Sequence, residues 1–357
     1  MLSTHHSFTP SLVMCLAFIA GSALANPVVS NVNAAQRADG SGLVDVYYDL
    51  SGGSGPMMVD IVFSNDDGAH WNVIPFQSLL TGSFGPGVTN GTAKHIIWDA
   101  ARDHAEVYWP QTRAKVTATE TGQTLTIMLP GGVPLEFIFI PAGSFVMGSG
   151  YDPPWSSTAE TPVHTVTINS SFCIGKFEVT QAQWWAEMGA NPSTIPGPNR
   201  PVETVSWTDC QAFIAQLNTL GQGTFRLPTE AEWEYACRAG STTRWYFGDL
   251  EAQLVNYAWY DPNSGFTTHD VGLKLPNAFG IYDMSGNVWE WCQDWYHSTY
   301  AGAPTDGSAW EAPVGTNRVV RGGNFDTLST YCRSADRLSL PPAFLGSGSG
   351  LRLVWTP

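Results

Sequence analysis

The sequence predicts an α+β domain with little regular secondary structure, preceded by a small all-β sandwich. Three observations carry this reading. Strict period-two alternation runs through the first third of the chain and then stops. Helix start signals cluster between Thr180 and Gly240 and are absent beyond. Gly (36), Pro (24) and Trp (15) are abundant, while charged residues make up only 13%, about half of the usual ~25%. A chain of this kind is rich in turns and held by aromatic packing.

Residues 1–25 have the features of an export signal. An apolar run over 12–20 precedes Ala23-Leu24-Ala25, an A-x-A cleavage pattern. The run is too short to span a bilayer, and no later segment is long and apolar enough. The expectation is an exported protein, periplasmic or secreted, without a membrane span. Cys15 lies inside the apolar run and follows the bulky Met14, which argues against a lipoprotein site.

Residues 26–120 read as strands. Val44, Val46, Tyr48 and Leu50 alternate with Asp45, Tyr47 and Asp49. Val59, Ile61 and Phe63 alternate again, as do Ala114, Val116 and Ala118 against Lys115, Thr117 and Thr119. Short half-buried strands separated by turn clusters predict a sandwich of immunoglobulin or fibronectin type. Ser64, Asp66, Gly68 and Trp71 fit one S-x-D-x-G-x-x-W "Asp box". A propeller needs that motif repeated, so a single copy reads as a hairpin turn over a packed Trp. Residues 121–134 are expected to be a linker, with Pro130-Gly131-Gly132 after a short apolar strand. The larger domain then spans 135–357.

Three helices in that domain carry start signals: Thr180 with Gln183, Ser206 with Asp209, and Thr229 with Glu232. The first and third fit the capping box, and the second is an Asp variant of it. Gly189, Gly221 and Gly240 are the expected stops, because glycine accepts the left-handed C′ conformation. In the middle helix Phe213, Ile214, Leu217 and Leu220 share one face.

Charge and cysteines bound the function. A net charge of −15 repels phosphate backbones, which excludes a nucleic-acid partner. The mature chain keeps Cys173, Cys210, Cys237, Cys292 and Cys332, an odd number, so at least one thiol has no partner within the chain. Disulfides suit an exported protein. No C-x-x-C or H-E-x-x-H spacing points to zinc.

The larger domain carries several long motifs in a fixed order. Phe139-Ile140-Pro141-Ala142-Gly143 opens it, and Glu178-Val179-Thr180 follows. Arg226-Leu227-Pro228-Thr229-Glu230-Ala231-Glu232-Trp233-Glu234 comes next, then Phe279-Gly280-Ile281-Tyr282-Asp283-Met284-Ser285-Gly286-Asn287-Val288-Trp289-Glu290-Trp291. Arg321-Gly322-Gly323-Asn324-Phe325 and Ala335-Asp336-Arg337 close the set. Together they resemble the formylglycine-generating, or sulfatase-modifying factor, family. The resemblance implies a C-type-lectin-like core. It also implies calcium held by Asp283 and Glu290 through side chains and by Gly286 and Val288 through backbone carbonyls, with a second site beginning at Asn256. Read from the residues alone, Asp283 and Glu290 flank a turn, and the same loop could instead be held by turn hydrogen bonds with Glu290 paired to an arginine.

The family's oxidase activates dioxygen at Cu(I), bound by two thiolates in C-x4-C just before A-x-R. Here those two positions are Ser329 and Ser334. A hydroxyl is a hard donor and does not replace a thiolate for a soft monovalent ion, so copper is not expected. Cys332 lies between them and is the remaining candidate nucleophile or ligand; its alternative is a core or disulfide-bonded cysteine. Arg321, Arg333, Arg337 and Arg352 gather near the C-terminus, either lining a groove or tying loops to internal carboxylates. The resemblance implies an enzyme of the cell envelope acting on a protein or small molecule without the thiol pair. A non-catalytic module for a peptide, protein or glycan is the competing reading, and formylglycine generation through an altered centre is the third.

Overall fold

The computed structural model describes residues 27–53, 57–64, 68, 73, 75, 80–103, 113–120, 124–150 and 157–356. The export signal, and Asp66 and Trp71 of the Asp box, lie outside them. The box's Ser64 and Gly68 are joined by a Gly68 N–H to Ser64 Oγ hydrogen bond of 2.9 Å.

Among the described residues, seven strands occupy the first third: β1 (Val28–Gln36), β2 (Leu43–Ser51), β3 (Met57–Ser64), β4 (Leu80–Gly82), β5 (Gly85–Val88), β6 (Gly91–Asp99) and β7 (Arg113–Glu120). A four-residue helix, α1 (Ala100–Asp103), follows β6. The strands form two sheets, ordered β1-β2-β6-β4 and β5-β3-β7. The alternation works as expected: Val44, Val46, Tyr48 and Leu50 share one core with Val59, Ile61, Phe63 and Val116. Phe63 of one sheet stacks on Trp98 of the other at 4.2 Å between ring centroids.

The larger domain begins earlier than a linker over 121–134 would allow. β8 (Thr124–Leu129) pairs along its whole length with β9 (Val133–Ile140) and forms the edge of a sheet ordered β13-β18-β12-β9-β8. The apolar alternation of Leu125, Ile127 and Leu129 supplies core contacts that a linker would lack. The other members are β12 (Phe172–Gly175), β13 (Thr224–Arg226) and β18 (Val354–Thr356). Its inner strands β9 and β12 carry buried residues on both faces. Along β9, Leu135 and Phe137 enter one core cluster while Ile138 and Ile140 enter the other. β10 (Gly143–Met147) and β11 (His164–Ile168) form a hairpin-like pair. A further sheet is ordered β16-β15-β14-β17, from β14 (Trp289–Trp295), β15 (Arg318–Arg321), β16 (Leu338–Leu340) and β17 (Ser349–Gly350).

The three expected helices are α2 (Gln181–Met188), α3 (Trp207–Asn218) and α4 (Glu230–Arg238), with Thr180, Ser206 and Thr229 as N-caps. All three make the reciprocal capping box, including the Ser206–Asp209 variant. Gly189 is the left-handed C-cap of α2. At α4 Gly240 is left-handed as expected (φ 89), but the cap falls one residue earlier, on Ala239 at φ 45. Its methyl is 2% exposed within the core, and that burial offsets the steric cost a non-glycine residue meets there. α3 ends at Thr219 in right-handed conformation, two residues short of Gly221. Among the described residues beyond α4, helix is limited to the four-residue α5 (Asp261–Ser264) and short 3-10 turns.

Candidate functional site

The loop at the family's thiol positions is built on a 3-10 turn over Ser329–Cys332. Ser329 Oγ donates to Glu251 Oε1 at 2.5 Å. Ser334 is fully buried, lies beside Cys237, and its backbone N–H donates to the Arg244 carbonyl. Cys332 is 0% exposed. It packs with Trp245, Leu254, Ala258 and Tyr260, and its Sγ points to the Leu328 carbonyl at 3.8 Å. Burial pushes its thiol up to about 12. A thiol kept protonated and out of reach is neither a nucleophile nor a ready metal ligand. Cys237 is likewise pushed up to about 12 by burial. All five described cysteines are buried and free, so none of the disulfides that the sequence leaves possible forms among them. Each sits in an apolar cluster that shields its thiol.

The four arginines face inward. Arg333 makes a two-pronged pair with Glu160 at 2.7 and 2.8 Å. Arg337 does the same with Glu230 at 2.7 and 2.8 Å. Arg321 reaches Glu234 and the carbonyls of Ser334, Ala335 and Asp336. Arg238 completes the group through Glu234 at 2.8 Å. Although burial pushes Glu234 up, Arg238 and Arg321 hold its carboxyl below the ordinary range. These pairs knit α4, β15 and the loop after it into one buried ionic hub. A further carboxylate, Asp294, accepts from the backbone N–H groups of Glu230 and Trp310, both at 2.8 Å. Burial, reinforced by the charge of Glu230, outweighs these bonds and the pull of Arg337, and raises Asp294 to about 7.

The Asp283–Glu290 turn needs left-handed backbone at Asp283 (φ 56), Gly286 (φ 80) and Asn287 (φ 63). A Cβ on Gly286 would sit 2.1 Å from the Trp259 carbonyl oxygen, so only glycine fits. Asp283 Oδ2 accepts from Gly272 N–H at 2.7 Å, and burial raises the carboxyl to about 6. Glu178 accepts from Val288 N–H at 3.0 Å and Asn287 Nδ2 at 2.6 Å. Burial, then the charges of Asp283 and Glu290, push Glu178 well above the usual carboxylate range. Glu290 is paired with Arg352 at 2.7 Å and accepts from Trp233 Nε1 at 2.6 Å. Asn256 is exposed, and its carbonyl accepts from Leu275 N–H at 2.9 Å. Among the described residues no group of three or more His, Cys, Asp or Glu side chains is arranged to hold a metal ion.

The sequence points to the arginines, Asp283 and Glu290, but not to Glu160, Glu178, Glu230 or Glu234 as their partners. Glu230 and Glu234 lie in the motif that opens at Arg226; the signal there is a run of acids inside a helix whose nine residues are all buried. The surface also carries an open apolar pocket of about 520 Å³, lined by Pro130, Val133, Trp185 and Pro198 among others. Trp185 there is 57% exposed.

Known proteins resemble this chain in both sequence and fold. It is 33% identical over 240 residues to "Chaperone protein LppX" of Paenibacillus barcinonensis, covering 52% of this chain and 80% of that protein. It is 28% identical over 278 residues to the formylglycine-generating enzyme of Streptomyces coelicolor, covering 60% and 87%. Among solved structures, Treponema denticola variable protein 1 matches with a TM-score of 0.59 at 32% identity, covering 66% of this chain and 99% of that one. PvdO from Pseudomonas aeruginosa matches with a TM-score of 0.60 at 30% identity, with the same coverage. The strand-rich, C-type-lectin-like fold expected for the larger domain therefore holds. The family model for the sulfatase-modifying factor enzyme 1-like domain matches residues 132–357, and the chain belongs to that family.

Proposed function

We propose that this chain is an exported, non-catalytic member of the family whose larger domain binds a peptide or protein segment. One observation carries the reading. The two positions that would hold copper are hydroxyls, and the cysteine between them, Cys332, is buried with its thiol protonated at neutral pH. A soft monovalent ion finds no accessible thiolate among the described residues. The ionic hub consumes the arginines that would otherwise line a groove, so recognition falls to surface features such as the Trp185 pocket. The relative named a chaperone is consistent with action on proteins. Export rests on the N-terminal segment; no helix among the described residues is long and apolar enough to cross a membrane.

The test offers the purified, copper-loaded protein a peptide bearing the sulfatase C-x-P-x-R motif, with mass spectrometry reading the thiol. The expected result is an unmodified cysteine. Conversion to formylglycine would overturn the proposal. In parallel, an array of peptides probed with wild type and Trp185→Ala should show binding that the variant loses while its melting temperature is unchanged.

A further inference from the structure

β8 stands at the edge of its sheet and pairs, among the described residues, with β9 alone. The register fixes which of its backbone groups face outward. Met128 lies opposite Pro134, which has no N–H to give. Thr126 lies opposite Glu136, whose carbonyl turns away from β8 and accepts from Lys176 N–H at 2.9 Å. Backbone groups alternate along a strand. Leu125, Ile127 and Leu129 therefore bond to β9, while Thr124, Thr126 and Met128 turn their N–H and C=O groups outward. Among the described residues no hydrogen bond reaches those outward groups. The side chains of the same three residues are exposed. β8 has no Lys, Pro or bulge along its length, the devices that ordinarily close a sheet edge to another strand.

This edge runs into the Trp185 pocket. Pro130 and Val133, which flank the turn after β8, line it together with Ala182, Trp185 and Pro198. Ile127 and Leu129 share a core cluster with Trp184 of α2, so α2 packs on the face to which they point. A strand added outside β8, at about 4.8 Å, sends every second side chain to that face. The exposed Trp185 ring and its pocket stand there.

Charge selects among possible strands. Residues 124–133 carry no charge, and α2 carries Glu187 and no base. Glu187 Oε1 is buried without a hydrogen-bond partner among the described residues. The net charge of the chain is −15. A second copy would bring two acidic surfaces edge to edge, whereas a segment with basic flanks is attracted.

We infer that the outer edge of β8 binds an extended segment of a partner protein by strand addition, an alternating apolar stretch between basic flanks, with one apolar side chain filling the Trp185 pocket. A row of backbone N–H and C=O groups is matched by another extended backbone. The ladder supplies affinity, and the pocket selects the side chain. This inference rests on the peptide-binding reading of the Trp185 pocket and adds the backbone edge to it.

The test uses the full mature chain and a probe peptide in which Val and Thr alternate between pairs of Lys. Two N-methylated versions of the probe block its backbone N–H groups on one edge or on the other. An added strand pairs through one edge, so one version should bind about tenfold more weakly than the probe and the other should bind equally. Thr126→Pro removes an outward N–H that β9 does not use. It should weaken the probe to a similar degree with little change in melting temperature. Trp185→Ala should weaken the probe as well. If Trp185→Ala weakens binding but both N-methylated versions bind like the probe, strand addition is overturned and the pocket reading stands. If one N-methylated version is weakened and Trp185→Ala is silent, strand addition holds and the pocket reading is the one overturned. No binding of the probe, tighter binding of a Glu-flanked version, or a dimer of the chain that Thr126→Pro dissolves would each overturn the inference.

Discussion

The sandwich and the larger domain bury opposite chemistries. In the sandwich the described core is apolar throughout, with Ser64 the single buried polar side chain among its described residues. The larger domain buries Glu160, Glu178, Glu230, Glu234 and Glu290 together with Arg321, Arg333, Arg337 and Arg352. The two sheets of the sandwich need only present one apolar face each. The larger domain has long loops whose backbone must be tied down, and multi-donor arginines reach several loops at once. Arg321 alone touches α4 and three successive carbonyls of the loop at 334–336. Such pairs add little net stability over an apolar core, yet removing one partner is costly.

That contrast can be broken by experiment. The largest effect is expected from Arg321→Ala, which leaves Glu234 buried with one partner fewer. It should cost about 3–5 kcal/mol, read as a lower urea midpoint of the larger domain's transition; a loss near zero would mean the hub is ornamental. Next is Leu50→Ala in the sandwich, where Leu50 is 2% exposed. It should cost about 2–5 kcal/mol, with no dependence on pH between 5 and 8, because the titratable group that shares this core, Tyr48, is pushed up to about 12 by burial and stays protonated there. A strong pH dependence of that loss would erase the distinction between the regions.

The third test sharpens the comparison through Asp294, whose ordinary carboxyl value of 3.8 is raised to about 7 in the fold. The folded state therefore binds the proton more tightly than the unfolded one. Stability from this group is fully present below about pH 4, falls as pH rises, and stops changing above about 7. Asp294→Asn removes the titration, although its NH2 then faces one of the two backbone N–H donors that Asp294 accepts from. The variant's stability should stay flat between pH 4 and pH 8, where wild type loses about 4 kcal/mol from this group, measured as melting temperature against pH. Equal profiles for the two proteins would show that Asp294 is not the strained member of the hub.

Local features are legible in the sequence. The alternation of Val44, Val46, Tyr48 and Leu50 reports burial directly, because neighbouring side chains on a strand point to opposite faces. The capping boxes at Thr180, Ser206 and Thr229 are legible because they are closed by residues three positions apart. The helix stops are less so: Ala239 takes the left-handed position through core packing, which no local rule contains. β8 is legible as a short apolar strand, but its place at the edge of the larger domain's sheet is not, because that depends on the β9 partner it meets.

The candidate site divides in the same way. That Ser329 and Ser334 stand where a soft metal needs sulfur follows from residue identity alone, since no folding turns a hydroxyl into a thiolate. Which carboxylate each arginine meets was decided only in three dimensions: Arg333 and Glu160 are 173 residues apart, and Arg337 and Glu230 are 107 apart. The fate of Cys332 was decided there too. Its chemistry depends on the apolar cage of Trp245, Leu254, Ala258 and Tyr260, and burial is a property of neighbours brought together by the whole chain.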